Sequence, residues 1–304
     1  MTMAASDSLR TEVALPLLAR LEDRLVRNGG RRPPLILLNG PVGAGKTTLG
    51  RMLEDVAAAW GLRLAVASID DGYLPLAERR TRLEGNPFGV LRVPPGSHDV
   101  PLLVDCLERW RRGQGLRLPR FDKTLAGGQG ERSGWRELQA DAVLIEGWLM
   151  GCRPLGPERL ATALSRMEDD RSGSSLPPAF PSLTSAERAW LPRWDLLLES
   201  YLPLWTLADG LWILRPASWS LPRRWRFQAE ARQRRAGGGW LPAGELHRLV
   251  RASLCSLPPV LYQDPLLHDP MGLPVLGVTE LDGRRRCRPL PVQLSSDSAS
   301  SEMG

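Results

Sequence analysis

Short apolar runs that alternate with amphipathic segments mark the first half of the chain. Residues 35–38 form a continuous apolar run of strand length, and similar runs lie at 64–68 and 142–145. Residues 46–60, which follow the first run, place apolar side chains at helical spacing. A strand, a glycine-rich loop, a helix and a second strand in close succession form a βαβ unit. This unit predicts a parallel sheet with a right-handed crossover.

The remaining segments extend this pattern. Apolar residues at helical spacing predict an amphipathic helix at 11–28, and further helices are predicted at 100–112, 194–205 (with a break near Pro203), 223–235, which is strongly charged, and 245–254. Further apolar runs of strand length lie at 211–214 and 275–278. Two segments rich in Pro, Gly and Arg are predicted to be mostly loop, 71–101 and 116–133. The alternation predicts a three-layer α/β fold, with a central parallel sheet of about five strands and helices on both faces.

The domain organisation follows from the same pattern. We expect an N-terminal helix and linker at 1–34, and one large domain at 35–290. Within that domain, the Ser/Pro-rich segment 172–185 is predicted to be a mobile insertion. The polar tail 291–304 is predicted to be disordered.

Composition and charge exclude several classes of protein. The formal net charge is +6, but the arginines are spread along the chain and no nucleic-acid-reading motif accompanies them. No apolar run approaches the roughly 20 residues that cross a bilayer. The N-terminus does not resemble a secretory signal, and the four scattered cysteines have no C-x-x-C spacing. These features favour a cytoplasmic protein that binds neither nucleic acid nor membrane.

Lysine usage is more informative. Of the 40 basic residues, only Lys46 and Lys123 are lysines. A lysine that persists among arginines suggests a need for a compact ammonium on a flexible stem. Both lysines fall inside the candidate motifs described next.

A phosphate-binding loop follows the first predicted strand. Residues 40–47, Gly-Pro-Val-Gly-Ala-Gly-Lys-Thr, fit the pattern G-x-x-x-x-G-K-[ST]. The glycines let backbone N–H groups turn toward phosphates at the positive end of the following helix. Lys46 is then expected to reach the β- and γ-phosphates, and the Thr47 hydroxyl to bind Mg²⁺. Because switches, motors and kinases share this loop, it predicts a nucleotide site without naming an activity.

Acidic residues end the second and third predicted strands. Asp70 and Asp71 follow the second strand, and Glu146 ends the third. A kinase needs a base at this edge of the sheet to take the acceptor's hydroxyl proton. We expect one aspartate to act on the acceptor or the metal and the other to support the loop. An Asp-rich turn without a catalytic role explains the same residues equally well. Glu146 is expected to hold Mg²⁺ or to polarise the attacking group.

Two polar loops between these strands carry further candidates. His98 and Asp99 follow a Pro-Pro-Gly turn, and Arg120, Lys123 and Arg132 surround a glycine run. Such cations suit a small anionic acceptor, whose carboxylate an Arg or Lys would grip. Taken alone, a capped loop histidine and solvated cations remain the simpler interpretation.

Together these motifs resemble the D-glycerate 3-kinase family, a branch of the P-loop kinases that includes uridine kinase, phosphoribulokinase and bacterial pantothenate kinase. The matching segments occur in the family's order, at 40–47, 68–73, 95–99, 119–124, 127–132, 145–147 and 225–230. The resemblance implies ATP-dependent, Mg²⁺-dependent phosphorylation of D-glycerate to 3-phosphoglycerate. Alternatives are another small acceptor, such as a nucleoside or pantothenate, and a non-enzymatic nucleotide-dependent regulator.

The resemblance also assigns roles residue by residue. Its catalytic positions are Lys46, Asp70 and Glu146. Its nucleotide positions are Gly40, Pro41, Val42, Gly43, Ala44, Gly45, Lys46, Thr47, Thr48 and Arg226. Its acceptor positions are Asp71, Tyr73, His98, Asp99, Asp122, Lys123 and Arg132. Its metal positions are Thr47, Asp70 and Glu146. Among the acceptor cations, we expect Arg132 to be the carboxylate clamp and Arg120 to face solvent.

Three substitutions depart from the family pattern. Gly72 replaces Phe and predicts a looser turn, Ser97 replaces Thr and keeps the hydroxyl, and Glu131 replaces Asp with a longer reach.

Overall fold

The structure, a computed structural model, describes residues 3–27, 29, 32–173, 181–237, 239–268 and 272–291. Its strands are β1 (Leu35–Asn39), β2 (Leu64–Ser68), β3 (Leu116–Asp122), β4 (Glu131–Leu138), β5 (Ala142–Gly147), β6 (Gly210–Pro216), β7 (Val275–Leu281) and β8 (Cys287–Leu290). Its α-helices are α1 (Met3–Leu9), α2 (Leu15–Arg27), α3 (Lys46–Ala59), α4 (Leu76–Arg82), α5 (Val100–Arg111), α6 (Pro157–Gly173), α7 (Ser185–Leu197), α8 (Leu202–Leu207), α9 (Leu221–Arg235), α10 (Ala243–Cys255) and α11 (Pro259–Tyr262).

The main sheet has the strand order β2-β5-β1-β6-β7-β8. The first five of these strands are parallel, and β8 pairs with β7 in the antiparallel direction. Every residue of β1 and β5 is buried. Burial on both faces explains why these strands are continuous apolar runs rather than alternating ones. The predicted parallel sheet of about five strands is therefore confirmed, with one antiparallel strand added at its edge.

Helices cover the sheet on both faces. Leu35 and Leu37 of β1 pack into one apolar cluster, which includes residues of α5, α7 and α8. Ile36 and Leu38 point the other way and join a second cluster with residues of α2 and α3. Because successive strand residues face opposite sides, this division defines three layers.

The N-terminal helix is longer than predicted. A π-helical segment, Arg10–Ala14, joins α1 to α2, so the helical stretch begins at Met3 rather than at residue 11. The predicted helix at 194–205 was also misplaced. Helix α7 begins at Ser185, where Thr184 and Glu187 form a capping box, and a 3₁₀ segment, Leu198–Tyr201, separates it from α8.

Two segments that were predicted to be mostly loop contain regular structure. The segment 71–101 contains α4, and 116–133 contains all of β3 and the start of β4. β3 and β4 form a separate antiparallel pair with a register shift between Pro119 and Phe121. The hairpin was not predicted because Pro119 and the neighbouring glycines are unfavourable in strands.

Most of the predicted insertion and tail lies outside the described residues, which leave out 174–180 and 292–304. Of the insertion's edges, residues 172–173 end α6 and residues 181–184 lead into α7. Within the described ranges, no helix combines the length and apolar character that a membrane-spanning segment needs.

Candidate active site

The glycine-rich loop connects β1 to α3. The Gly40 N–H donates to the Gly147 carbonyl at 3.1 Å, which ties the loop to the end of β5. Gly43 and Gly45 have φ angles of +76° and +100°. Residues with a Cβ rarely adopt such angles, so both glycines are required for the loop to curl over the start of α3.

Lys46 is held beneath this loop. Its Nζ donates to the carbonyl oxygens of Gly40 at 2.9 Å and Pro41 at 3.2 Å. It also lies 3.7 Å from Oε2 of Glu146. The ammonium is therefore fixed inside the loop, beside the acid that ends β5.

Strand register brings the acidic residues to the same place. Glu146 of β5 is paired with Leu38 of β1 on one side and with Ser68 of β2 on the other. Because all three strands are parallel, their carboxyl ends meet at one edge of the sheet. Burial raises the pKa of Glu146, an effect that nearby Lys46 partly offsets.

A 3₁₀ turn, Ile69–Gly72, orients the two aspartates after β2. The Ser68 hydroxyl accepts a hydrogen bond from the Asp70 N–H at 3.3 Å, and the Asp71 carboxylate accepts one from the Ser68 N–H at 3.5 Å. Asp71 thus closes the turn as the acidic half of a capping box. Burial raises the pKa of Asp71.

Asp70 has two strong donors. The Tyr73 hydroxyl donates to Oδ1 at 2.8 Å, and Lys123 Nζ donates to Oδ2 at 2.7 Å. Burial alone would raise the pKa of Asp70, but the Lys123 ammonium outweighs it and holds that pKa well below its usual range. Asp70 is therefore ionised at neutral pH. Burial and the adjacent carboxylate raise the pKa of Tyr73 well above its usual range, so its hydroxyl remains a donor.

His98 supports this arrangement from behind. Its ring stacks on Tyr73 with centroids 4.5 Å apart, and Nδ1 lies 2.7 Å from the Tyr201 hydroxyl. Nε2 lies 3.9 Å from Oδ1 of Asp70, beyond hydrogen-bonding distance. Burial lowers the pKa of His98, so the imidazole is neutral at neutral pH.

The other predicted acceptor residues hold the surrounding loops. Arg132 Nη2 donates to Asp99 Oδ2 at 2.5 Å, and Arg132 Nε donates to the Tyr73 carbonyl at 3.1 Å. Asp99 also caps α5 by accepting from the Leu102 N–H. Asp122 accepts from the N–H and hydroxyl of Thr124 at 2.8 and 2.6 Å.

A cavity of about 1310 Å³ runs from the glycine-rich loop to the β3–β4 turn. Predicted site residues in its lining are Val42, Gly43, Gly45, Lys46, Thr47, Thr48, Asp70, Asp71, Tyr73, Lys123, Glu146 and Arg226. Predicted acceptor residues outside the lining are His98, Asp99, Asp122 and Arg132. The cavity therefore joins the phosphate-binding loop to Asp70 in one continuous space.

Sequence reasoning missed two buried arginines in this lining, Arg92 and Arg285. Arg285 Nε donates to the Gly43 carbonyl at 2.8 Å, and Nη2 donates to the Trp225 carbonyl at 2.9 Å. Burial lowers the pKa of Arg285 to about 10. Its neighbours in the chain, Arg284 and Arg286, are exposed, so the sequence offers no signal that separates the three. For Arg92, the only available signal was its position next to the Pro-Pro-Gly turn.

The three departures from the family pattern have structural explanations. A Cβ on Gly72 would lie 2.6 Å from Leu103, so Leu103 fills the space that a larger side chain would need. The Ser97 hydroxyl donates to the Pro94 carbonyl at 2.7 Å. The Glu131 carboxylate accepts from the N–H of Leu76, at the start of α4, at 3.0 Å.

Comparisons with known proteins agree on one group of kinases. No protein-family model matches the sequence. The chloroplastic D-glycerate 3-kinase of Arabidopsis thaliana is 28% identical over 279 residues, which cover 84% of this chain and 56% of that protein. The uncharacterized kinase mug58 of Schizosaccharomyces pombe is 30% identical over 211 residues, which cover 66% of this chain and 70% of that protein. This chain thus spans little more than half the length of the Arabidopsis protein.

A solved structure extends the agreement to the fold. The D-glycerate 3-kinase from Cryptococcus neoformans superposes with a TM-score of 0.74 at 25% identity, covering 89% of this chain and 96% of that one. The parallel sheet with a phosphate-binding loop after β1 is the fold of a P-loop kinase. Within that class, the chain belongs to the D-glycerate 3-kinase family.

Proposed function

We propose that this protein transfers the γ-phosphoryl group of ATP to the 3-hydroxyl of D-glycerate, forming ADP and 3-phosphoglycerate. The observation that carries the proposal is the placement of ionised Asp70 and P-loop Lys46 in the lining of one cavity. Relatives that are D-glycerate 3-kinases favour this acceptor.

The loop and the acids around it fit a magnesium nucleotide. The glycine-rich loop 40–47, Thr48 and Arg226 would hold ATP, and Lys46 would neutralise charge on its phosphates. The oxygens of Thr47, Asp70 and Glu146 would hold Mg²⁺, since this ion prefers hard oxygen ligands. Bound there, Mg²⁺ would neutralise charge that develops on the transferring group.

Asp70 is suited to orient the acceptor. In the transfer, a bond forms between the acceptor oxygen and the γ-phosphorus as the bond to ADP breaks, and the acceptor's proton passes to the Asp70 carboxylate. The depressed pKa of Asp70 makes it a weak base, so it acts mainly by aligning the hydroxyl and takes the proton late. Tyr73 and Lys123 fix both carboxylate oxygens in place for this task.

An assay of ADP release tests the function. D-glycerate, L-glycerate, uridine, pantothenate and ribulose 5-phosphate are offered with Mg²⁺-ATP, and the product is identified by ³¹P NMR. We expect the highest kcat/KM for D-glycerate, with 3-phosphoglycerate as product. Lys46→Ala should abolish transfer, because developing phosphate charge is left uncompensated. A higher kcat/KM for uridine or pantothenate would show that D-glycerate is not the preferred acceptor. Near-normal turnover by a folded Lys46→Ala variant would show that the nucleotide site is assigned wrongly.

A further inference from the structure

Arg92 is a buried cation at the acceptor end of the cavity, and no partner for it lies among the described residues. It is 8% exposed and lines the cavity together with Tyr73, Lys123 and Gly128. Its Nη1 makes no hydrogen bond, and no carboxylate of the described residues lies within ion-pair distance of its guanidinium. The group approaches the β3–β4 turn closely, since a Cβ on Gly130 would lie 3.2 Å from Nη1.

The neighbouring arginines have partners in the protein. Arg79 is fully buried and donates to the carbonyl oxygens of Leu74, Leu91, Gln129 and Gly130. Arg132 is paired with Asp99 and bonded to the Tyr73 carbonyl, and it lies outside the cavity lining. Of these three, only Arg92 both lines the cavity and has a nitrogen, Nη1, without a hydrogen-bond partner among the described residues.

A buried guanidinium whose charge is not compensated destabilises the folded state. Removing such a charge from water is strongly unfavourable unless an anion and hydrogen bonds compensate it. Nothing in the described residues around Arg92 supplies that anion, whereas the cavity beside it is open to a ligand. A planar carboxylate is the anion that a guanidinium fork binds in bidentate fashion.

We propose that Arg92, rather than Arg132, binds the carboxylate of the acceptor and thereby selects a small 3-hydroxy carboxylic acid. The proposal rests on the proposed function. Arg92 lines the same cavity as Tyr73, whose hydroxyl donates to Asp70. The acceptor's carboxylate would therefore lie at Arg92 while its terminal hydroxyl lies at Asp70. Arg132 acts as a positioning residue that fixes Asp99 and the Tyr73 backbone.

Substrate analogues separate direct binding from a structural role. Arg92→Met is compared with wild type on D-glycerate and on D-glyceramide, which lacks the carboxylate charge. We expect the KM for D-glycerate to rise about 10- to 100-fold, the loss of a charged, bidentate hydrogen-bond pair. The KM for ATP and the kcat/KM for D-glyceramide should change by no more than about twofold. Exposed Arg120→Met is the matched control and should be silent.

Stability provides a second, independent measurement. Because Arg92 is uncompensated without ligand, Arg92→Met should unfold at the same temperature as ligand-free wild type or higher. Arg79→Met leaves several buried carbonyl oxygens without their hydrogen-bond donor, so it should unfold at a clearly lower temperature. If Arg92→Met does not fold, the Arg92 guanidinium stabilises the ligand-free protein, and the claim that it is uncompensated there is wrong. Arg92→Lys, which keeps the charge and loses the fork, then tests binding alone and should raise the KM for D-glycerate several-fold.

Several results would overturn the proposal. An unchanged KM for D-glycerate in Arg92→Met, in an enzyme whose wild type uses D-glycerate, refutes Arg92 and leaves the proposed function standing. Equal losses on D-glycerate and D-glyceramide would indicate a structural role. If Arg132→Met, and not Arg92→Met, loses the preference for D-glycerate over D-glyceramide in kcat/KM, then Arg132 binds the carboxylate. If wild type does not use D-glycerate, both proposals fall.

Discussion

Asp70 and Asp71 are adjacent in sequence but lie in opposite environments. Asp70 accepts from Lys123 and Tyr73, and its pKa is held well below the usual range. Asp71 turns back to the Ser68 N–H, and burial raises its pKa. Two carboxylates whose pKa values are pushed apart often have different tasks. Asp70 is therefore the candidate for chemistry, and Asp71 is the candidate for support of the turn.

We predict that Asp70→Asn lowers kcat about 100-fold or more. The amide cannot accept the acceptor's proton, and its NH2 would face one of the donors Tyr73 and Lys123, so the group that aligns the hydroxyl is also displaced. The KM for ATP should change little in comparison. Asp71→Asn is the matched control, and its kcat should fall by less than about tenfold, since an amide oxygen can still accept from the Ser68 N–H. Steady-state kinetics with both substrates varied give these values. A larger loss in Asp71→Asn would show that the roles are reversed.

At the residue scale, the sequence predicts groups that belong to a local motif and misses groups that only packing selects. Lys46, Thr47 and Asp70 could be placed because each has a fixed position relative to a strand end. Arg92 and Arg285 could not be placed, because the chain carries arginine almost everywhere it carries a cation. What distinguishes these two is burial, which depends on residues far away in sequence.

At the scale of elements, the glycine-rich loop depends on close contact with α9. A Cβ on Gly43 would lie 2.7 Å from the backbone N of Arg226 and 2.8 Å from Cβ of Trp225. The same loop is held by Arg285, which donates to the Gly43 carbonyl. The loop and α9 are therefore in close contact, and α9 carries Arg226 into the cavity lining.

Gly43→Ala should weaken ATP binding through this contact. Gly61 is the matched control, because it has the same φ of +76° and nothing within 4 Å of its added Cβ. Both alanines carry the left-handed backbone cost of about 1–2 kcal/mol. We expect only Gly43→Ala to raise the KM for ATP, by about tenfold or more, since only there does backbone have to shift at the phosphates. ATP-dependent kinetics and urea unfolding of both variants test this. Equal effects on the KM for ATP would contradict it.

The two elements that were not predicted from the sequence, β3 and α4, both lack a regular apolar pattern. In β3, Arg117 and Arg120 are exposed while Leu116 and Leu118 are buried, but Pro119 interrupts the alternation. In α4, the buried residue is Arg79, a polar side chain that gives no apolar periodicity. β3 is stabilised by pairing with β4 across a register shift, and α4 by the hydrogen bonds that Arg79 donates to carbonyl oxygens as far away in sequence as Gly130. Local apolar patterns do not record such contacts.

At the scale of the whole molecule, the first helices and the last strands of the described residues pack together. The Cys287 N–H of β8 donates to the Ser8 hydroxyl of α1 at 2.6 Å. Leu17, Leu18 and Leu21 of α2 are fully buried in the cluster that also contains Leu281 of β7. The sequence predicted the parallel sheet from its βαβ unit, but the strand order and the closure by β8 depend on contacts between distant segments.

Because α1 and α2 pack against β7 and β8, we predict that the N-terminal helix stabilises the kinase domain and does not fold as a separate unit. Leu18→Ala should lower the free energy of unfolding of the whole protein by about 2–5 kcal/mol, the cost of a cavity in a packed core. Val26, on the same helix and 75% exposed, is the matched control. Val26→Ala should change that free energy by no more than about 0.5 kcal/mol. Urea unfolding is followed by circular dichroism and, in parallel, by loss of ADP release. In Leu18→Ala both midpoints should fall together, because one cooperative unit responds as a whole. If the activity midpoint stays at its wild-type value while only part of the helical signal shifts, the N-terminal helix folds independently of the site.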